Sequence, residues 1–432
     1  MDSAVGVIIL VIGIIVAIAL HEVGHLLPAK LFGVRVPQYF IGFGPTLWST
    51  TRGGTEYGVK AIPLGGFVRM AGMFPPAKAG ARTHKNDGRL TMAEEVRRAS
   101  AADLDGGPGR PFYELSAPKK LAVMFGGPVM NLIIAAVLAA VLMVGVGFPT
   151  LTASVGAVST CVTGEETCDE SEAAPAMSAG LQPGDRIISW GGQSVEDWPD
   201  VQRVIAEGGT GPTEVIIERD AVQETLTVTP MMTPRPVTND AGEVVLNAAG
   251  EPQLEEKPFV GISPLIDLER QSITEVPGYI GDLLGRTAAI IVRLPQQLWN
   301  LTSDLITGEE RDPTGVIGIV GVAQIAGQIS GVESPEYTAN QRAADLINLL
   351  IALNISLFVF NMIPLLPLDG GHIAGALYEG ARRQIARVRG KPDPGPVDTA
   401  KLTPLSYAVA FAFIVMTVIL IAADVFNPIE LF

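Results

Sequence analysis

An unbroken apolar run from Ala4 to Leu20 opens the chain, and the stretch continues to Ala29 with only His21, Glu22 and His25 able to ionise. A helix of that length crosses the roughly 30 Å hydrocarbon core of a bilayer, where every backbone polar group must be satisfied internally. A cleaved leader fits poorly, because Met1-Asp2-Ser3 is not basic, the run is too long, and no small-residue cleavage site precedes the charged cluster. Composition agrees with a membrane protein: 48% of the 432 residues are hydrophobic, and mean hydropathy is +0.35.

Three further apolar stretches, Leu121 to Val146, Leu346 to Leu366 and Leu405 to Ala423, each approach the ~20 residues a spanning helix needs. Four spans place both termini on one side. Residues 28 to 120 carry fourteen Lys/Arg against seven Asp/Glu, and Arg382, Arg383, Arg387, Arg389 and Lys391 follow the third span, so both loops are expected in the cytoplasm. Residues 147 to 344 hold 29 acidic and 10 basic residues. That segment, and with it both termini, is expected outside, its acidity serving solvation rather than nucleic-acid binding. Cys161 and Cys168, the only cysteines, both fall there, where a disulfide can persist.

His21-Glu22-Val23-Gly24-His25 is an H-E-x-x-H motif. On a helix the two histidines, four residues apart, share a face and can share one zinc ion, with Glu22 as base. The membrane setting strengthens the motif, since ionisable groups at the centre of a span cost roughly 2.5–3.5 kcal/mol each unless something compensates them. A bound dication does so. A catalytic zinc needs a third protein ligand and an open position for water. Asp369 is the candidate, in Asn361-Met362-Ile363-Pro364-Leu365-Leu366-Pro367-Leu368-Asp369-Gly370-Gly371-His372, where Pro364 and Pro367 must break the third helix. Irregular backbone at membrane depth is tolerated only where it lines a protein-buried or watery site. Depth agrees: with the N-terminus outside, His21 lies about 26 Å down the first span at 1.5 Å per residue, and Asp369 is similarly deep. Both motifs then meet near the cytoplasmic face. A two-His, one-Asp site accepts cobalt or iron as well as zinc.

The H-E-x-G-H of the first span together with the Asn-x-x-Pro…Leu-Asp-Gly-Gly of the third resembles the paired signatures of the site-2 protease family. The resemblance implies His21, His25 and Asp369 as Zn2+ ligands and Glu22 as the general base that activates water for attack on a peptide carbonyl. It implies Asn361 as an amide contacting substrate or the developing oxyanion, and it includes His372 without assigning a role. Gly42-Phe43-Gly44-Pro45 and Tyr57 to Met73 resemble the family's membrane-associated β-hairpin, with Gly65 and Gly66 suiting its turn, and Phe125-Gly126-Gly127-Pro128-Val129-Met130-Asn131 also matches. The small residues there permit close helix approach, and Asn131 reads as a packing residue able to bond across helices. Residues 75 to 119 resemble an insertion found in actinobacterial relatives and read as a disordered cytoplasmic linker. The implied substrates are single-span membrane proteins such as anti-sigma factors, cut during regulated intramembrane proteolysis.

Ala179-Gly180-Leu181-Gln182-Pro183-Gly184-Asp185-Arg186-Ile187-Ile188, followed by alternating stretches at Glu214 to Arg219 and Glu224 to Val228, resembles a bacterial PDZ core, with Gly261 to Pro264 as a closing strand and 231 to 258 as an inserted loop. Tyr279 to Leu305 has apolar residues at helical spacing interrupted by Arg286, Arg293 and Asp304, which favours a membrane-surface or clamping helix over a fifth span.

The expected fold is thus a polytopic α-helical membrane protein of about four transmembrane helices, with a membrane-associated β-hairpin and an inserted α+β PDZ-like domain. Its expected divisions are 1–150, a first membrane half; 151–270, the extracytoplasmic PDZ-like domain; 271–344, the surface or clamp segment; and 345–432, a second membrane half with the aspartate motif. Expected partners are membrane lipid and single-span substrates in the cell membrane, with no nucleic acid. The rival classes are a catalytically inactive PDZ adaptor, which would lack one of His21, Glu22, His25 or Asp369, and a zinc transporter, which has no need of Glu22.

Overall fold

The protein is described from a computed structural model covering residues 3–105, 107–162, 173–237, 253–308, 311, 315–332 and 337–429. It divides into two compact units, Met1–Val146 with Gln271–Phe432, and Gly147–Arg270.

The first unit is helical. Helix α1 (Ser3–Leu31) carries the N-terminal apolar run. It leads into two long strands, β1 (Gln38–Arg52) and β2 (Thr55–Arg69), joined at Gly53-Gly54, whose φ values of +57° and +75° fit a two-residue hairpin turn. Gly65 and Gly66, expected at the turn, instead lie within β2. A side chain at 66 would meet Glu22 Cγ and Ile18 Cγ2 at 3.0 Å, so glycine there lets the strand approach α1. The Gln38–Ile41 stretch of β1 is paired on both sides, by Glu56–Val59 and by Gly66–Arg69.

Within the expected disordered linker at 75–119, the structure has a capped helix docked on its neighbours. Thr91 caps helix α2 (Met92–Ala102), whose buried Arg97 pairs with Asp398 at 2.6 Å and Glu94 at 3.5 Å. Arg35 bonds the Asp103 carbonyl, and Ser100 accepts from the Met73 amide at 2.7 Å. Low hydrophobicity concealed this docking because much of it runs through ion pairs and backbone bonds, with Phe112 and Leu115 as its buried apolar anchors.

Helix α3 (Ala117–Ala140) extends through a π-helical segment, Val141–Val146. After the inserted unit, which holds α4 (Pro175–Ser178) and α5 (Trp198–Gly208), come α6 (Val276–Thr307), α7 (Ile319–Gly331), α8 (Ala339–Asn361), α9 (Asp369–Val388) and α10 (Thr403–Phe426). Among the described residues four helices are long and apolar enough to cross a membrane: Ser3–Leu31, Ala117–Val146, Ala339–Asn361 and Thr399–Phe426. The third runs seven residues further toward the N-terminus than its apolar stretch, because Thr338 and Gln341 form a capping box. It stops at Asn361, ahead of Pro364, since the residue before a proline disfavours helix. Helix α6 packs on α3, α8 and α10. Helix α7, only 13 residues long, sets Ile325, Ala326 and Ile329 against Leu10 of α1. Asp424 of α10, fully buried, bonds Arg311 at 3.0 Å and the Gly321 amide at 2.7 Å.

The second unit is α+β. Strands β3 (Phe148–Val158), β4 (Arg186–Trp190), β5 (Gln193–Ser194), β6 (Thr213–Arg219), β7 (Val222–Val228) and β10 (Ile262–Glu269) form one antiparallel sheet in the order β10-β3-β4-β6-β7, with β5 on β4. Alternation along β6 turns Val215 and Ile217 into a core with Val155, Ile187 and Trp190. Helices α4 (Pro175–Ser178) and α5 (Trp198–Gly208) add Ala176, Trp198, Val201 and Val204. Strands β8 (Met231–Pro236) and β9 (Leu254–Phe259) pair as a hairpin where a loop was expected. Residues 238–252 lie outside the described residues. Cys161 is buried and disulfide-bonded, and Cys168 lies outside the described residues.

Replacing Arg97 with alanine should lower stability by about 3–5 kcal/mol, since it strands the shielded Asp398 without its cation, while Glu94 keeps Arg98 at 3.2 Å. The expected result is a lower unfolding temperature in detergent together with faster proteolytic nicking between residues 75 and 110.

Candidate metal centre

The first span brings its two histidines to one face, and the helix break brings a carboxylate to meet them. After Pro364 and Pro367 the chain turns back into α9, of which Asp369 is the first residue. Gly370 makes that turn possible, because a Cβ there would lie 2.2 Å from the Ile363 carbonyl oxygen. His21 Nε2 lies 3.4 Å and His25 Nε2 3.3 Å from Asp369 Oδ2, and the two Nε2 atoms are 3.3 Å apart. Among the described residues this is the cluster of three metal-ligating side chains.

Those separations suit a tetrahedral ion. Donors about 2.0–2.1 Å from zinc and set at the tetrahedral angle are about 3.3–3.4 Å apart, so the three atoms match one face of the tetrahedron and leave its fourth vertex free. Two imidazoles and a carboxylate are also the donor mix zinc accepts. The three side chains are 13%, 7% and 19% exposed, shielded but still reachable.

Neighbouring elements hold these groups in place. His25 Nδ1 donates to the Val123 carbonyl of α3 at 2.8 Å, which leaves the Nε2 lone pair free for the cluster. His21 Nδ1 faces the side-chain amide of Asn131, 3.1 Å from its nitrogen. The carboxylate of Glu22 accepts from the Val68 amide of β2, and the Tyr39 hydroxyl of β1 donates to the Ala19 carbonyl at 2.9 Å, so the hairpin is fastened to α1 beside the cluster. Helices α1 and α3 can lie this close because a Cβ at Gly24 would be 2.1 Å from the Gly126 carbonyl oxygen, and one at Gly127 would be 2.2 Å from His25 Nε2 and 2.7 Å from His21 Nε2.

The structure thus gathers His21, Glu22, His25 and Asp369. Asn361 is half-buried as the last residue of α8. His372 lines a small cavity with Tyr113, Lys120 and Glu379, in which Lys120 and Glu379 form a buried ion pair at 2.8 Å. The anchoring groups on α3 were not legible as such: Val123 acts through its backbone, which no side-chain pattern reveals, and Asn131, though within the family-like Phe125–Asn131 stretch, reads from sequence as a packing residue.

The sequence pattern of Peptidase family M50 matches residues 8–392, which contain every residue of the cluster. Zinc metalloprotease Rip1 of Mycolicibacterium smegmatis is 34% identical over the whole of both chains. Zinc metalloprotease Rip1 of Mycobacterium tuberculosis strain H37Rv is 32% identical over 99% of this chain and 98% of its own. Metalloprotease MmpA of Caulobacter vibrioides is 28% identical over 86% of each.

A methyl group at 127 would occupy the space of both imidazoles. Gly127→Ala is expected to lower the zinc content of purified protein well below that of wild type, measured by elemental analysis, while helix content by circular dichroism is retained.

Proposed function

The chain belongs to peptidase family M50, the site-2 proteases, and on that premise we propose that this zinc metalloprotease cuts the membrane-spanning segments of single-span membrane proteins, anti-sigma factors among them. The observation that carries the proposal is the triangle of His21 Nε2, His25 Nε2 and Asp369 Oδ2, whose 3.3–3.4 Å edges fit a tetrahedral zinc. We assign the metal to these three atoms. When bound, zinc polarises the scissile carbonyl and makes water a competent nucleophile at neutral pH.

Glu22 then acts as general base and acid. Its carboxylate, oriented by the Val68 N–H, takes a proton from the attacking water and passes it to the departing amine nitrogen as the C–N bond breaks. Asn361 is proposed to turn its amide N–H toward the oxyanion that develops on the carbonyl oxygen. Because a peptide bond must leave its helix before water can reach it, an unwound segment would add as a strand to the β1–β2 hairpin near Gly66, where the hairpin meets Glu22.

The basic loops favour a topology with both termini and the 147–270 unit outside the cytoplasm, and with the zinc near the cytoplasmic face of the cell membrane. We propose that unit as a PDZ-like domain, on the strength of its antiparallel sheet and capped α5, acting either in peptide capture or as a filter on the size of the substrate's outer part. Segment 271–344, which includes α6, is proposed as a clamp on the spanning helices.

Glu22→Gln should keep about one zinc per chain, as in wild type, while cleavage of single-span model substrates, scored by mass spectrometry, falls by about 10²–10⁴-fold. Undiminished cleavage by the variant, or folded wild type without zinc, would refute the assignment.

A further inference from the structure

Helix α3 supplies none of the three ligands, yet it touches both imidazoles. In a helix the carbonyls point toward the C-terminus and side chains lean toward the N-terminus. The Val123 carbonyl and the Asn131 side chain therefore converge on the turn around Gly127, where the absent Cβ leaves room for both rings. For His25 the consequence is plain. A carbonyl oxygen only accepts, so Nδ1 carries the proton and Nε2 presents its lone pair to the cluster.

His21 is different. Asn131, 0% exposed, turns its amide nitrogen to Nδ1 at 3.1 Å, and its Oδ1 is buried without a partner. An NH2 group only donates, so it fits an imidazole protonated at Nε2, the atom that faces Asp369 and His25. That tautomer has no lone pair to give a metal. A half-turn of the amide about its last torsion exchanges oxygen and nitrogen, which are nearly equal in size, without displacing any neighbour. The oxygen then accepts from Nδ1–H.

We infer that Asn131 is a positioning residue for His21: its Oδ1 accepts from Nδ1–H and holds the Nε2 lone pair toward the metal, as the Val123 carbonyl does for His25. The inference rests on the proposal that His21 is a zinc ligand. It gives the second span a stated task, the fixing of both ligand tautomers from one helix turn, and it gives the partnerless Oδ1 a use. Outer partners of this kind typically govern metal affinity by 10–100-fold when removed.

Zinc affinity of the full-length protein in detergent, measured by competition with a chelator, tests this directly. Asn131→Leu, similar in volume but without an acceptor, should bind zinc about 10–100-fold more weakly, whereas Asn131→Asp, which keeps an acceptor oxygen, should stay close to wild type. Wild-type affinity in the Leu variant overturns the inference, and so does an equal loss in both variants, which would mark a packing role. Should the Leu variant fail to fold, Asn131→Ser, which keeps an acceptor oxygen, and Asn131→Ala, which has none, decide by the same measurement. Weaker zinc binding by the Ala variant than by the Ser variant is expected, and equal affinities would overturn the inference. Folded wild type that binds no zinc would instead overturn the metal assignment on which the inference stands.

Discussion

Contact between the backbones of α1 and α3 at Gly24, Gly126 and Gly127 is the constraint on which the rest of the site depends. Helices separated by ordinary side chains lie 8–10 Å apart. At that distance neither the Val123 carbonyl nor the Asn131 amide would reach the imidazoles at the 2.8 and 3.1 Å found here. In lipid, apolar side chains gain little from meeting one another, so close approach through small residues is a main source of helix association. The same glycines that bring the two spans together also leave a hollow of the right size for two histidine rings.

Burial then has to be reconciled with polarity. The cluster places two imidazoles and two carboxylates among spanning helices, where each group loses water that must be replaced. The replacements come from different parts of the chain: a backbone carbonyl and an amide on α3, a strand N–H from β2 for Glu22, and the mutual contacts of His21, His25 and Asp369. The proline-broken connection before α9 supplies the carboxylate without a further helix crossing the same space, and the hairpin approaches α1 beside Glu22 at Gly66. Rigid elements thus surround a small polar volume, which is the arrangement a preorganised site needs.

Much of this was legible in the chain. The H-E-x-x-H spacing and the double proline before Asp369 identify their chemistry because helix periodicity and proline sterics act locally, and the four long helices follow from apolar length alone. What could not be read depends on partners remote in sequence. Arg97 and Asp398 meet across 301 positions, so the segment around α2 looked like linker. Gly65 and Gly66, read as suiting the hairpin turn, instead give room to Phe43 and to α1, and Gly53-Gly54 reverses the chain. Helix α7 went unremarked because 13 residues are too few to signal a span. Asn131 lay in plain view, but its orientation toward His21 is set by helix packing that no linear pattern encodes.

The separation of His21 from Asp369 along the chain has a consequence for biosynthesis. Synthesis runs from the N-terminus, and domains generally fold in the order in which they emerge. The histidine pair and the glycine-lined hollow can therefore assemble as soon as α1 and α3 are inserted, but the carboxylate that joins them is made only after the whole 147–270 unit and helix α8. A growing chain carries an incomplete donor set throughout that interval. The inserted unit is thus made before the donor set of the centre is complete, and order of synthesis itself delays the centre's assembly.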